Sequence, residues 1–95
     1  MLPIPHPAVV YRAVSDGAVL LSTADEVYYG LNAVGARVWE LLPPVSRTVE
    51  ELCATVAAGY PETEAATIRA DVLELLQTLE AHGLLQRVSD VAADR

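Results

Sequence analysis

The sequence has no lysine and no phenylalanine, and it has only one cysteine and one tryptophan. Its six basic residues are scattered arginines, and 13 acidic residues bring the net charge to -7. Proteins that bind nucleic acids neutralise phosphates with clustered Lys and Arg, so this charge argues against a nucleic acid partner. Without Phe, the apolar fraction of 53% comes mainly from Ala, Val and Leu, which predicts an aliphatic core.

The single cysteine excludes an internal disulfide, and no Cys or His stands near Cys53 at the spacing of metal ligands. We therefore expect no metal site, and we interpret Cys53 as a small apolar residue of a helix. His6 and His82 stand alone, and no phosphate-binding loop or enclosed acid pair is visible. The sequence thus predicts no catalytic residues, no cofactor and no enzymatic activity.

No apolar run approaches the roughly 20 residues that span a bilayer, so we expect no membrane partner. The segment Met1–His6 lacks the basic and apolar parts of a signal peptide, which favours a cytoplasmic location. At 95 residues the chain fits one domain, 1–95, for which we expect a core over about 9–88 and flexible ends.

Three segments of strand character come first, separated by turn residues at Ser15–Gly17 and Thr23–Glu26. They predict an antiparallel sheet made of Val9–Val14, Ala18–Ser22 and Val27–Leu31. Three helices follow: one capped by Asn32 and stopped by Pro43, one with a capping box at Thr48–Glu51, and one from about Thr63 to His82. Gly83 is placed to end the third helix, and 84–88 is expected to add a short strand or loop. The fold class is α+β, a small winged-helix-like domain of three strands and then three helices.

The third helix carries more apolar surface than one core stripe needs. Its main stripe is predicted to be Ile68, Val72, Leu75 and Leu79, with Leu76 beside it. A second apolar margin continues around the helix through Ala65, Arg69, Leu73 and Leu76. Because the edge of strand Val27–Leu31 offers unpaired backbone groups, the two elements could form the two sides of a peptide-binding groove.

The junction between the third strand and the first helix resembles the PqqD-like family, whose members are also called RiPP recognition elements. In that family a strand ending in Leu-Asn, here Leu31-Asn32, leads into a helix of the pattern Gly-x-x-Val-Trp-Glu-Leu-Leu, here Gly35–Leu42. The resemblance continues through Thr48–Leu52 and Ala70–Leu85, and it covers roughly residues 9 to 88.

This resemblance implies a non-catalytic protein that binds the leader segment of a ribosomally made precursor peptide. The leader would lie antiparallel along the third strand, and its alternate side chains would enter pockets against the third helix. The implied peptide-binding residues are Val27, Tyr28, Tyr29, Gly30, Leu31, Ala65, Ile68, Arg69, Val72, Leu73 and Leu76. The implied partners are the leader and a modifying or processing enzyme, and we favour the leader peptidase of a lasso peptide pathway. For that type, the resemblance implies a leader whose Tyr and Pro fill the pockets.

Individual side chains leave alternatives open. Tyr28 and Tyr29 alternate, so one is expected to face the core and the other solvent or ligand, while Trp39 is expected in the core. Arg69 could pair with an acidic leader side chain, and three glutamates could favour a basic one: Glu64, Glu74 and Glu80.

Two other functions compete with leader binding for a lasso pathway. One is a PqqD-type chaperone for pyrroloquinoline quinone assembly. The other is a winged-helix DNA-binding regulator, which needs a basic recognition helix, whereas the third helix sets Arg69 against several acids. The exposed strand edge is compatible with a monomer or a weak homodimer.

Overall fold

The computed structural model describes residues 2–87, and it confirms the predicted architecture of a three-stranded antiparallel sheet followed by three helices. Residues near the two ends of the described segment also form a separate two-stranded sheet. The elements are β1 Ile4–Pro5, β2 Val9–Val14, β3 Gly17–Ser22, β4 Val27–Asn32, α1 Ala33–Glu40, α2 Val49–Ala58, α3 Ala65–Ala81 and β5 Leu85–Gln86.

The larger sheet has the order β2-β3-β4, so β3 is central and β4 lies at an edge. On β3 the inward side chains Ala18, Leu20 and Ser22 are buried, as the alternation of a half-buried strand requires. They pack against α1, whose Val38 and Trp39 are also buried. The predicted core position of Trp39 is thus confirmed.

The turn between β2 and β3 consists of Ser15 and Asp16, because Val14 already pairs with Gly17. Gly17 is predicted by the sequence to be a turn residue, but it belongs to β3 and pairs with Asn32. A Cβ atom at Gly17 would lie 2.0 Å from the carbonyl oxygen of Leu31. The glycine is therefore required by the close approach of β4.

The helix caps lie where the sequence predicts them. The Asn32 side chain accepts a hydrogen bond from the Gly35 amide at 2.8 Å, and Thr48 Oγ1 accepts one from the Glu51 amide at 3.1 Å. The Glu51 carboxylate accepts from the Arg47 amide rather than from Thr48, which differs from the predicted capping box. Gly83 has φ +75°, the left-handed conformation expected after α3.

The core begins before Val9, where the sequence analysis placed its start. Leu2 is 1% exposed, β1 pairs with β5, and the His6 amide donates to the Leu84 carbonyl oxygen at 3.0 Å. Strands of two residues show no periodicity, and the prolines around Ile4 hide the pairing from a sequence pattern. Two predictions lie outside the described residues: Val88 as part of a short strand or loop, and a frayed tail over 89–95.

The buried face of α3 differs from the predicted stripe by one position. Ile68, Val72, Leu76 and Leu79 are buried, whereas Leu75 is half-buried, so Leu75 and Leu76 exchange their predicted places. Arg69 lies on the Leu76 side of the helix and reaches Glu50 of α2 at 3.4 Å. Because α2 packs on that side, the buried centre of α3 turns towards Leu76.

Candidate functional site

The outer edge of β4 is unpaired among residues 2–87, because β4 pairs with β3 alone. Such an edge presents backbone N–H and C=O groups that an extended peptide can use. The edge belongs to Val27–Asn32, which contains every strand residue that the sequence analysis proposed for peptide binding. The strand half of the predicted site is therefore placed on an available edge.

A groove of about 360 Å³ lies between the end of β4, the start of α1 and one face of α3. The α3 residues that line it have the three- and four-residue spacing of a single helix face. The groove is lined by Tyr29, Asn32, Val34, Gly35, Asp71, Glu74, Leu75 and Thr78. A strand edge and a groove therefore stand side by side, with Leu75 as the apolar residue of the α3 wall.

The two tyrosines of β4 point in opposite directions, as predicted. Tyr28 is 72% exposed, whereas Tyr29 is half-buried and packs against the core. The Tyr29 ring also meets the imidazole of His82 edge-on, with ring centroids 5.3 Å apart. This contact joins β4 to the C-terminal end of α3, and Tyr29 itself lines the groove.

The groove is acidic. Asp71 and Glu74 line it, and neither forms an ion pair with another described residue. Of the other two acids proposed to favour a basic leader, Glu80 pairs with Arg87 at 2.7 Å and Glu64 stands at the N-terminus of α3. Within the groove, Glu74 is thus the one of these three that lines the wall.

A second, smaller pocket of about 120 Å³ adjoins the groove. It shares Val34 and Asp71 with the groove and reaches the C-terminal end of α2. Its lining residues are Val34, Val56, Tyr60, Thr63, Ile68, Asp71 and Val72. Ile68 and Val72, which are predicted to contact peptide, lie at this pocket and in the core.

The other predicted helix residues are not brought to β4. Leu76 is buried in the core, and Ala65 and Arg69 are exposed, with Arg69 held by Glu50. Leu73 follows Arg69 by four residues and shares its side of α3. The helical face beside β4 is instead that of Asp71, Leu75 and Thr78, which the sequence analysis missed, although their spacing of four and three residues was a detectable signal.

Two side chains of α2, Cys53 and Glu50, have shifted pKa values. Burial raises the pKa of the Cys53 thiol, which disfavours the reactive thiolate. The pKa of Glu50 is lowered, first by a backbone hydrogen bond and then by Arg69. The two pKa shifts arise from the packing of α2 and its backbone hydrogen bonding and, for Glu50, from the contact with Arg69 of α3. Among residues 2–87, no helix is long and apolar enough to cross a membrane.

Residues 17–85 match the PqqD family, described as coenzyme PQQ synthesis protein D. The chain belongs to the PqqD family. The matched stretch runs from the start of β3 to the start of β5 and therefore includes both sides of the groove. The family resemblance of the sequence is confirmed.

One solved structure is similar over nearly the whole chain: TbiB1 in complex with the TbiA(beta) leader peptide. The two chains are 32% identical with a TM-score of 0.80, and the match covers 90% of this chain and 98% of TbiB1. No protein with a curated description matches the chain significantly. A PqqD-family chain with this fold is thus similar to a protein solved with a leader peptide bound.

Proposed function

We propose that this chain is a non-catalytic leader-binding protein, which captures a ribosomally made precursor peptide and delivers it to a processing enzyme. The observation that carries the proposal is the unpaired edge of β4 beside the groove of about 360 Å³. The similarity to TbiB1, solved with a leader peptide, supports it. The bound peptide would extend the sheet by one strand and insert alternate side chains between Tyr29 and Leu75.

The interaction energies suit a reversible carrier. About four backbone hydrogen bonds contribute roughly 0.5–1.5 kcal/mol each, and burial of ~200–300 Å² of apolar surface contributes about 25 cal/mol per Å². After the cost of ordering the peptide, this corresponds to a Kd between high nanomolar and micromolar. Such a complex holds a leader long enough for an enzyme to act and then releases it.

In this proposal the predicted peptide-binding residues of α3 contribute unequally to the contact with the peptide. Ile68 and Val72 remain near the peptide path because they line the second pocket. For Arg69 to pair with an acidic leader side chain, its exposed ion pair with Glu50 must open, which costs little. Ala65 and Leu73 would contact peptide only beyond the groove.

For the partner enzyme we propose the leader peptidase of a lasso peptide pathway, with the chain acting in the cytoplasm. The composition of the chain, which is rich in Ala and Val and has arginine in place of lysine, is similar to that of leader-binding proteins of such pathways and favours this assignment. A chaperone for pyrroloquinoline quinone assembly is the alternative within the family. A DNA-binding role is disfavoured, because the exposed face of α3 carries Asp71 and Glu74.

Selection from a display library of random peptides tests leader-type binding and does not require the sequence of a leader. We expect enriched peptides whose Kd, measured by fluorescence polarisation, is micromolar or tighter and rises in Leu75→Glu. The surface variant Arg47→Glu, away from the groove, should bind them as the wild type does. A folded wild type that enriches no peptide would overturn the proposal.

A further inference from the structure

The second pocket is small, largely apolar and built by all three helices. Val34 comes from α1, Val56 from α2, and Ile68 and Val72 from α3. Tyr60 and Thr63, in the link between α2 and α3, complete the wall. At about 120 Å³ it has room for roughly four atoms of water size, which matches the end of one aliphatic side chain.

The second pocket lies nearer the start of α3 than the groove does. Tyr29, within β4, meets His82 just after the end of α3, whereas Asn32, the last residue of β4, lines the groove together with Asp71. Going back along α3 from Leu75 to Asp71 and Ile68 leads from the groove into the second pocket. The pocket therefore lies beyond the Asn32 end of β4.

A peptide antiparallel to β4 passes Asn32 with the residues that precede its paired segment. These residues leave the sheet edge near Val34 and Asp71, which line both cavities. The apolar walls favour a hydrocarbon side chain. Asp71 in the wall disfavours an acidic side chain, because like charges repel.

We propose that the second pocket is a specificity subsite that takes one aliphatic side chain (Val, Ile, Leu or Met) from the N-terminal side of the paired peptide segment. This inference rests on the proposed function and deepens it. The peptide recognised by the chain is then longer than β4 itself. It combines a paired stretch with one aliphatic anchor at a fixed distance before it.

Peptide selection on two matched variants tests the subsite. Thr63 is exposed and lines the pocket, so Thr63→Trp places an indole across it without changing a buried residue. The neighbouring Glu62 is exposed and does not line the pocket, so Glu62→Trp is the control for the added ring. The random-peptide library is selected separately on the wild type and on each variant.

On the wild type we expect enrichment of an aliphatic residue at one fixed position before the paired segment. Thr63→Trp should lose this preference and bind wild-type-selected peptides roughly ten- to a hundredfold more weakly, while Glu62→Trp keeps both. An aliphatic preference that is absent from the wild type, or that survives Thr63→Trp, would overturn the subsite. A wild type that enriches no peptide at all would instead overturn the proposed function, so the two failures are distinguishable.

Discussion

The ring of Tyr29 meets the imidazole of His82 edge-on, with centroids 5.3 Å apart and an angle of 60° between the ring planes. Tyr29 lies on the edge strand β4 and His82 just beyond the end of α3, so this pair fixes the distance between the two sides of the groove at one end. The imidazole is held in turn by an Nδ1 contact of 2.8 Å to the Thr78 carbonyl oxygen. Thr78 itself lines the groove.

A double-mutant cycle of Tyr29→Ala and His82→Ala should show a coupling free energy of about 0.5–1 kcal/mol, which is typical of an aromatic pair. Urea denaturation of the four proteins measures it. Each single variant should also weaken peptide binding, because the end of the groove becomes less defined. A coupling free energy indistinguishable from zero would mean that the contact does not hold β4 to α3.

The two leucines of α3 outside the central core should differ in their effect on binding. Leu75 lines the groove, whereas Leu73 lies about 200° further around the helix and shares the α2 side with Arg69. Leu75→Glu should raise the Kd for a selected peptide about tenfold or more, because a charge replaces apolar contact. Leu73→Glu should change it less than about threefold. Equal losses would contradict the assignment of the groove face.

Replacing each of two sheet glycines by alanine should affect the free energy of unfolding in different directions or by different amounts. In Gly17→Ala the new Cβ would lie 2.0 Å from the Leu31 carbonyl oxygen, so β3 and β4 must separate. We expect a loss of about 1–3 kcal/mol or more in the free energy of unfolding. A Cβ at Gly30 meets nothing within 4 Å, and Gly30→Ala should be neutral or stabilise by up to about 1 kcal/mol. Chemical denaturation checks both.

The Tyr11 hydroxyl donates a hydrogen bond of 2.6 Å to the Glu40 carboxylate, and its ring stacks on Trp39. Burial, together with this hydrogen bond and the charge of Glu40, raises the pKa of Tyr11 from 10.0 to about 12. Since the folded-state pKa is the higher one, the stabilisation is complete below pH 10 and is lost as the pH rises towards 12.

Tyr11→Phe should therefore lower the free energy of unfolding by about 0.5–1 kcal/mol at neutral pH, with a smaller difference from the wild type above pH 10. Urea denaturation at several pH values measures this. A difference between wild type and variant that grows with alkaline pH would contradict the sign.

The acids of the groove should select basic peptides. Asp71 and Glu74 line the groove without an ion pair to another described residue. Peptides selected on the wild type should contain Lys or Arg at a fixed position, and this bias should disappear in the Asp71→Asn, Glu74→Gln variant. Because exposed pairs contribute only about 0.2–1 kcal/mol, the affinity should change less than the sequence preference. An unchanged bias in the variant would contradict the role of the two carboxylates.

The sequence predicted the elements whose signals are local. Segments of strand character and the turn residues between them placed the three strands, Asn32 and Thr48 marked two helix starts, and Gly83 marked an end. What the sequence could not show depends on packing between distant elements. The pairing of β1 with β5 joins two very short strands from opposite ends of the chain, and only the fold brings them together.

The candidate site, too, was predictable only where its signals are local. The edge strand was predicted from its own residues, whereas the groove-facing side of α3 depends on how that helix rotates under α2. A rotation that exchanges Leu75 and Leu76 turns Asp71 and Thr78 towards β4 and Arg69 towards Glu50. Periodicity identifies an apolar stripe but does not tell which of its borders faces the sheet.

Backbone amide hydrogen exchange, measured residue by residue with and without a selected peptide, tests the central claim most directly. If the peptide adds to the sheet, those amides of Val27–Asn32 that point away from β3 should exchange at least about tenfold more slowly in the complex, because each gains a hydrogen bond. The amides of β2, at the opposite edge of the sheet, should be little affected. Saturating binding that leaves the exchange of every β4 amide unchanged would contradict strand addition at this edge.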